Sequence, residues 1–134
     1  MISKQFLDAW SPRLLSVLRI VVALLFIEHG TSKFFGFPLG MGHIPLFSLF
    51  GLAGVLEIGG SILLFLGLFT RPVAFILSGE MAFAYFMAHA PHSLYPLVNG
   101  GEAAVFYCFV FLYFAAAGGG AWSLDNILRG KKAA

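Results

Sequence analysis

Four long apolar stretches, joined by short turn-rich connections, dominate this 134-residue chain, and each carries one glutamate: Glu28, Glu57, Glu80 and Glu102. A helix crosses a bilayer with about 20 mostly apolar residues. Residues 14–35, 46–69, 72–90 and 101–121 meet that requirement. The chain is 60% hydrophobic and only 10% charged, with a mean hydropathy of +0.92. So few charges cannot cover the surface of a water-soluble domain. The expectation is an all-α, integral-membrane bundle of four helices forming a single domain over residues 1–134.

The connections fit this reading. Residues 36–45 are rich in Gly and Pro, Thr70-Arg71 reads as a tight turn with Pro72 opening the next helix, and residues 91–100 hold two prolines and Asn99-Gly100. Lys4 and Arg13 precede the first span, Arg71 separates the second from the third, and Arg129, Lys131 and Lys132 follow the fourth. The positive-inside rule therefore predicts both termini on the cytoplasmic side, N-in and C-in. Trp10 and Trp122 read as interfacial anchors at that surface. The net charge of +2 comes from residues at span ends rather than from a patch, so it gives no sign of nucleic-acid binding. Cys108 is the only cysteine and reads as a small buried apolar residue.

An ionisable side chain in a membrane is costly and is seldom kept without a partner or a task. At about 1.5 Å per residue, Arg19 and Glu80 fall toward the inner side, Glu57 near the centre, and Glu28, His29, Lys33, His89 and Glu102 in the outer half. The simplest pairing is a structural ion pair between Arg19 and Glu80, alone or with Glu57 in one inner cluster. Glu28 or Glu102 with Lys33, His29 and His89 makes an outer cluster. One reading is a set of bonds that only fixes the packing. The sharper one is a polar pocket in which His29, Lys33, Glu57 and His89 carry chemistry. No HxxxH or ExxH spacing occurs, so no metal site is predicted.

Sixteen Phe and four Tyr are many for this length. A flat hydrophobic ligand such as a quinone suits aromatic walls beside a few polar groups. Phe83, Phe106, Phe109 and Tyr113 are the expected walls, with Lys33 and Glu102 at the polar end. On span 1, Arg19 and Glu28 lie on opposite faces, so that helix contacts neighbours on both sides, bends near Gly30, or uses one face in a homo-oligomer. Gly118-Gly119-Gly120 is expected to end the fourth span, with Ser123 capping a short amphipathic tail.

The ordered set of Arg19, Phe26, His29-Gly30 and Lys33, then Glu57-Ile58-Gly59-Gly60 and Gly67-Leu68-Phe69-Thr70-Arg71, resembles the DoxX family of small four-helix bacterial membrane proteins. Met81, Ala84, His89, Gly100-Gly101-Glu102-Ala103 and Ser123-Leu124-Asp125 continue the likeness over nearly the whole chain. The chain departs from the family where Gly118-Gly119-Gly120-Ala121-Trp122 replaces Gly-Pro-Gly followed by a basic and an aromatic residue. The resemblance implies a multi-pass protein of the bacterial cytoplasmic (inner) membrane tied to redox chemistry. Its relatives include the membrane subunit of a thiosulfate:quinone oxidoreductase. On that basis the expected function is a membrane component of a quinone-linked oxidoreductase working with a soluble or membrane redox partner. The alternatives are a small proton, ion or solute transporter, or a scaffold that recruits a soluble enzyme.

Overall fold

A computed structural model describes residues 1–133, with side chains to residue 130, and shows an all-helical chain. The helices are α1 (Lys4–Phe35), α2 (Leu49–Leu66), α3 (Thr70–Ala84), the short α4 (Pro96–Asn99), α5 (Glu102–Ala117) and α6 (Leu124–Ala133). A π-helical turn, Tyr85–His89, continues α3.

Helix α1 starts ten residues before the predicted span. Ser3 caps it by accepting from the Phe6 N–H at 3.2 Å, and the helix runs on through Pro12. At 32 residues it extends roughly 48 Å. The α2–α3 turn also differs from expectation. Gly67 adopts φ 70° and Phe69 φ 51°, so the chain reverses there and Thr70 and Arg71 already belong to the first turn of α3. At the other end α5 stops at Ala117, and Gly118-Gly119-Gly120 forms a loop rather than a last helical turn. Ser123 caps the tail helix as expected, accepting from the Asn126 N–H at 3.2 Å. The side chains of Lys131 and Lys132, counted above among the basic residues, lie outside the described residues.

Helices α1 and α2 pack as an antiparallel pair, α3 packs on α2 and on α5, and α4 on α5. A Cβ at Gly30 would stand 2.5 Å from the Ile58 side chain and 2.9 Å from the Gly54 carbonyl oxygen. Only glycine allows the two backbones to meet this closely. Gly60 does the same between α2 and α3, where the Leu77 methyls occupy the space a Cβ would need. The core is Val22, Ala23 and Phe26 of α1, Leu64 of α2, Ala74, Leu77 and Met81 of α3, and Ala104, Phe111 and Phe114 of α5. Phe26 meets Phe111 edge-on at 4.9 Å, which ties α1 to α5.

The outward faces are apolar as well. Val21, Leu24, Phe75, Phe86, Phe106 and Phe109 are all exposed. Helices α1 and α2 are each long and apolar enough to cross a membrane, and α5 is apolar but shorter. Apolar surface on this scale is far beyond what a monomer carries in water; it suits hydrocarbon.

Candidate functional site

The helix register builds the site. Because α2 and α3 run antiparallel with Gly60 against Leu77, the residues one turn farther from the α2–α3 hairpin, Glu57 and Glu80, face the same interior level. The contact of Gly30 with Gly54 and Ile58 likewise brings Lys33, one turn further along α1, onto Glu57. Lys33 Nζ donates to both Glu57 carboxylate oxygens, at 2.9 and 2.7 Å. Both side chains are buried, and this is the one ion pair among the described residues. Glu80 lies near enough to interact electrostatically with Glu57 and Lys33, yet both its carboxyl oxygens are buried without a hydrogen-bond partner. Ser61, one turn nearer the α2–α3 hairpin than Glu57 on the same face of α2, also has a buried hydroxyl with no partner. Three helices thus contribute one amine, two carboxyls and one hydroxyl to a single interior cluster.

His29 sits at the edge of this cluster. Its ring packs on Phe26 and meets Tyr107 of α5 edge-on, each at 5.7 Å between centroids. The residue is exposed at the α1–α5 seam, within electrostatic reach of Glu57, Lys33 and Glu28. It therefore joins the buried charges to the outer surface of the bundle.

The other expected site residues fall elsewhere. Arg19 does not pair with Glu80. It is fully buried and donates through Nε to the Gly119 carbonyl at 2.9 Å, through Nη1 to Leu64 and, at 2.7 Å, to Phe65, and through Nη2 to Trp122 at 2.6 Å. Backbone carbonyls freed at the ends of α2 and α5 satisfy its fork, so no carboxylate is needed. His89 does not reach Lys33. Its Nδ1 lies 3.1 Å from the Asn99 carbonyl oxygen, in a turn where Asn99 also bonds Tyr85, Ser93 and Gly101. Glu102 is exposed in the first turn of α5, where a carboxylate complements the helix dipole. Glu28 is exposed too. Phe83, Phe106, Phe109 and Tyr113 do not wall a cavity around Lys33; they point outward, 56–71% exposed. Among the described residues no three His, Cys, Asp or Glu side chains gather as metal ligands do.

The expected inner cluster of Arg19, Glu80 and Glu57 thus loses its arginine, and Glu80 stays beside Glu57 with Lys33 as the cation. The shared level of the two acids is legible in the sequence. Glu57 stands eleven residues before Leu68 and Glu80 twelve after it, so a tight hairpin reversing there sets them at one level.

A profile of the DoxX family matches residues 14–90. An uncharacterized protein of Haemophilus influenzae is 52% identical over 129 residues, covering 90% of this chain and 94% of its own length. No solved structure matches the chain.

Proposed function

Because the chain belongs to the DoxX family of membrane proteins, we propose that it is a four-span protein of the bacterial cytoplasmic membrane, with both termini inside, that handles a proton for a quinone-linked redox system. The spans are α1, α2, α3 with its π turn, and α5. Support for the orientation comes from Lys4, Arg13, Arg71 and Arg129, which all belong to the end of the bundle that holds the N-terminus. Lys33, the basic residue nearest the opposite end, is buried in its ion pair.

One observation carries the functional reading: a second buried carboxyl, Glu80, stands beside the Lys33–Glu57 pair with no donor of its own. One ammonium against two carboxylates is neutral when the two acids share one proton. Hydrocarbon strongly favours that neutral state. The cluster is then a proton store within the bilayer, and His29, exposed at the α1–α5 seam, is its route to the surround. The aromatic walls expected from sequence do not fit, since those four side chains face outward. A quinone already lives among acyl chains, and in this reading exposed His29 and the Tyr107 ring against it meet its polar edge from that side. The quinone would supply the electron-carrying chemistry, with a partner protein as the other redox party.

A photoreactive quinone analogue tests this in lipid nanodiscs. Labelling should map to the segments holding His29 and Tyr107, be competed by an isoprenoid quinone, and drop severalfold in His29→Ala. Labelling that natural quinone does not compete, or that maps to the Phe83–Phe109 side, removes the quinone reading. The second reading is proton or cation transport, favoured by the unpartnered Ser61 hydroxyl, which continues the polar file inward from Glu57. It requires acid or cation flux in liposomes that Glu57→Gln and Ser61→Ala abolish.

A further inference from the structure

At the inner end of the bundle lies a cavity of about 790 Å³ that the cluster above does not use. Its walls are the α2–α3 turn with Thr70 and Arg71, the Gly118–Gly120 loop, and α6 with Asp125 and Arg129. These walls are held firmly. Arg19 bonds the Gly119 and Trp122 carbonyls. Ser16 Oγ donates to Gly119 O at 3.0 Å and accepts from the Trp122 N–H at 2.9 Å. The Pro12 carbonyl accepts from the Ala121 N–H at 3.0 Å. A loop tied to α1 by a buried arginine, a serine and a backbone carbonyl is a constructed wall rather than a loose connection.

The charges of the cavity are unbalanced. Asp125 is its one carboxylate, and it is already engaged, accepting from the N–H groups of Phe69 at 2.8 Å and Thr70 at 2.9 Å at the start of α3. Neither Arg71 nor Arg129 forms an ion pair among the described residues. Arg71 lies over bare backbone, its Nε and Nη2 3.4 Å from where a Gly118 Cβ would stand. Gly118 has φ 85°, so a side chain is disfavoured there on both counts. The N–H groups of Gly119 and Gly120, in the same wall, donate to no acceptor among the described residues. Two guanidinium forks, free backbone N–H groups and space for a tetrahedral anion are the donor set that recognises phosphate.

We propose that this cavity binds a phosphate group, with Arg71 and Arg129 as its principal donors. The phosphate belongs either to an anionic phospholipid of the inner leaflet or to a soluble phosphorylated molecule. Exposed Trp122, Ile127 and Leu128 beside the cavity mark headgroup depth. The lipid source rests on the membrane reading above; the soluble source does not.

Native mass spectrometry of protein equilibrated with equal amounts of phosphatidylglycerol and phosphatidylcholine tests the site, alongside a titration of lipid-free, detergent-solubilised protein with glycerol phosphate. The expected result is one phosphate-bearing molecule held per chain. Its affinity should fall about tenfold or more in Arg71→Gln/Arg129→Gln, since each charge-assisted bond contributes over a kcal/mol. Lys4→Gln/Arg13→Gln, which removes two charges at the same end outside the donor set, should leave it unchanged. Selective phosphatidylglycerol retention, not displaced by glycerol phosphate, assigns the lipid; saturable glycerol phosphate binding that the double variant loses assigns the soluble ligand. If Arg71→Gln upsets folding, Arg129→Gln, on the exposed tail helix, carries the test alone. The absence of any one-to-one phosphate species overturns the proposal. So does an equal loss in Lys4→Gln/Arg13→Gln, which reduces the effect to surface charge.

Discussion

Lys33 on α1 grips both carboxylate oxygens of Glu57 on α2, at 2.9 and 2.7 Å, and the pair is buried between the helices. Removing one member of such a pair normally costs roughly 3–5 kcal/mol, because the other charge is left buried and alone. Here the two halves are unequal. Glu57→Gln leaves Lys33 with Glu80 close by as a substitute partner, whereas Lys33→Met leaves two carboxyls and no cation. The expected order of stability in detergent is wild type, then Glu57→Gln, then Lys33→Met. Equal losses in the two variants contradict a shared cluster.

Arg19 makes a different kind of prediction, because its donors meet carbonyls rather than a carboxylate. A lysine keeps the charge but cannot reproduce a planar fork reaching four carbonyls in two segments. Arg19→Lys should cost about 2 kcal/mol or more, since hydrogen bonds to charged groups contribute roughly 1.5–3 kcal/mol each. Proteolysis should then cut the Gly118–Trp122 segment faster than in wild type. A variant as stable and as protease-resistant as the parent would show that these bonds are incidental.

The glycines divide by what surrounds them. Gly30→Ala pushes a methyl onto the Gly54 carbonyl and should separate α1 from α2, destabilising the protein. Gly59 and Gly79 have nothing within 4 Å of a Cβ. Alanine there should be neutral, or stabilising by roughly 0.5–1 kcal/mol, as for any helix interior. Thermal denaturation of the three variants distinguishes close approach from mere helix propensity.

Much of this was legible in the sequence, and the losses have physical causes. Hydropathy located the helices because apolar run length is what a bilayer demands. The ends shifted where local chemistry decides: Ser3 starts α1 early, and Gly118 stops α5 early. Depth along each span is a poor guide to charge pairing unless the hairpin turn sets its origin. It pairs Glu80 with Arg19, although Gly60 and Leu77 hold Glu80 level with Glu57. The arginine's true partners were invisible because carbonyls freed at helix ends leave no mark in residue identity. The aromatic walls failed for a similar reason: in a membrane, outward faces are as apolar as the core, so composition does not tell inside from outside.

Asp125 gives the end of the bundle that holds the N-terminus a pH dependence. Burial pushes its carboxyl up, but the Thr70 N–H, the nearby Thr70 hydroxyl, the Phe69 N–H and the charge of Arg129 together hold it below the ordinary aspartate range. With the folded value below the unfolded one, the contribution is complete above the unfolded pKa of about 3.9 and is lost as pH falls through the folded one. Wild type should therefore lose stability below about pH 4 in a step that Asp125→Asn lacks. Asp125→Ala should cost roughly 1 kcal/mol at neutral pH as the α3 cap is lost. Identical acid limbs for wild type and Asp125→Asn would remove Asp125 from the account.

The central claim is that Lys33, Glu57 and Glu80 form one interior cluster holding a single shared carboxyl proton, and infrared spectroscopy of glutamate-labelled protein in lipid reads it directly. At neutral pH the account predicts a protonated-carboxyl C=O band that Glu57→Gln and Glu80→Gln each abolish and that Glu28→Gln and Glu102→Gln leave intact. A spectrum with no such band, or a band that survives both Glu57→Gln and Glu80→Gln, would contradict it.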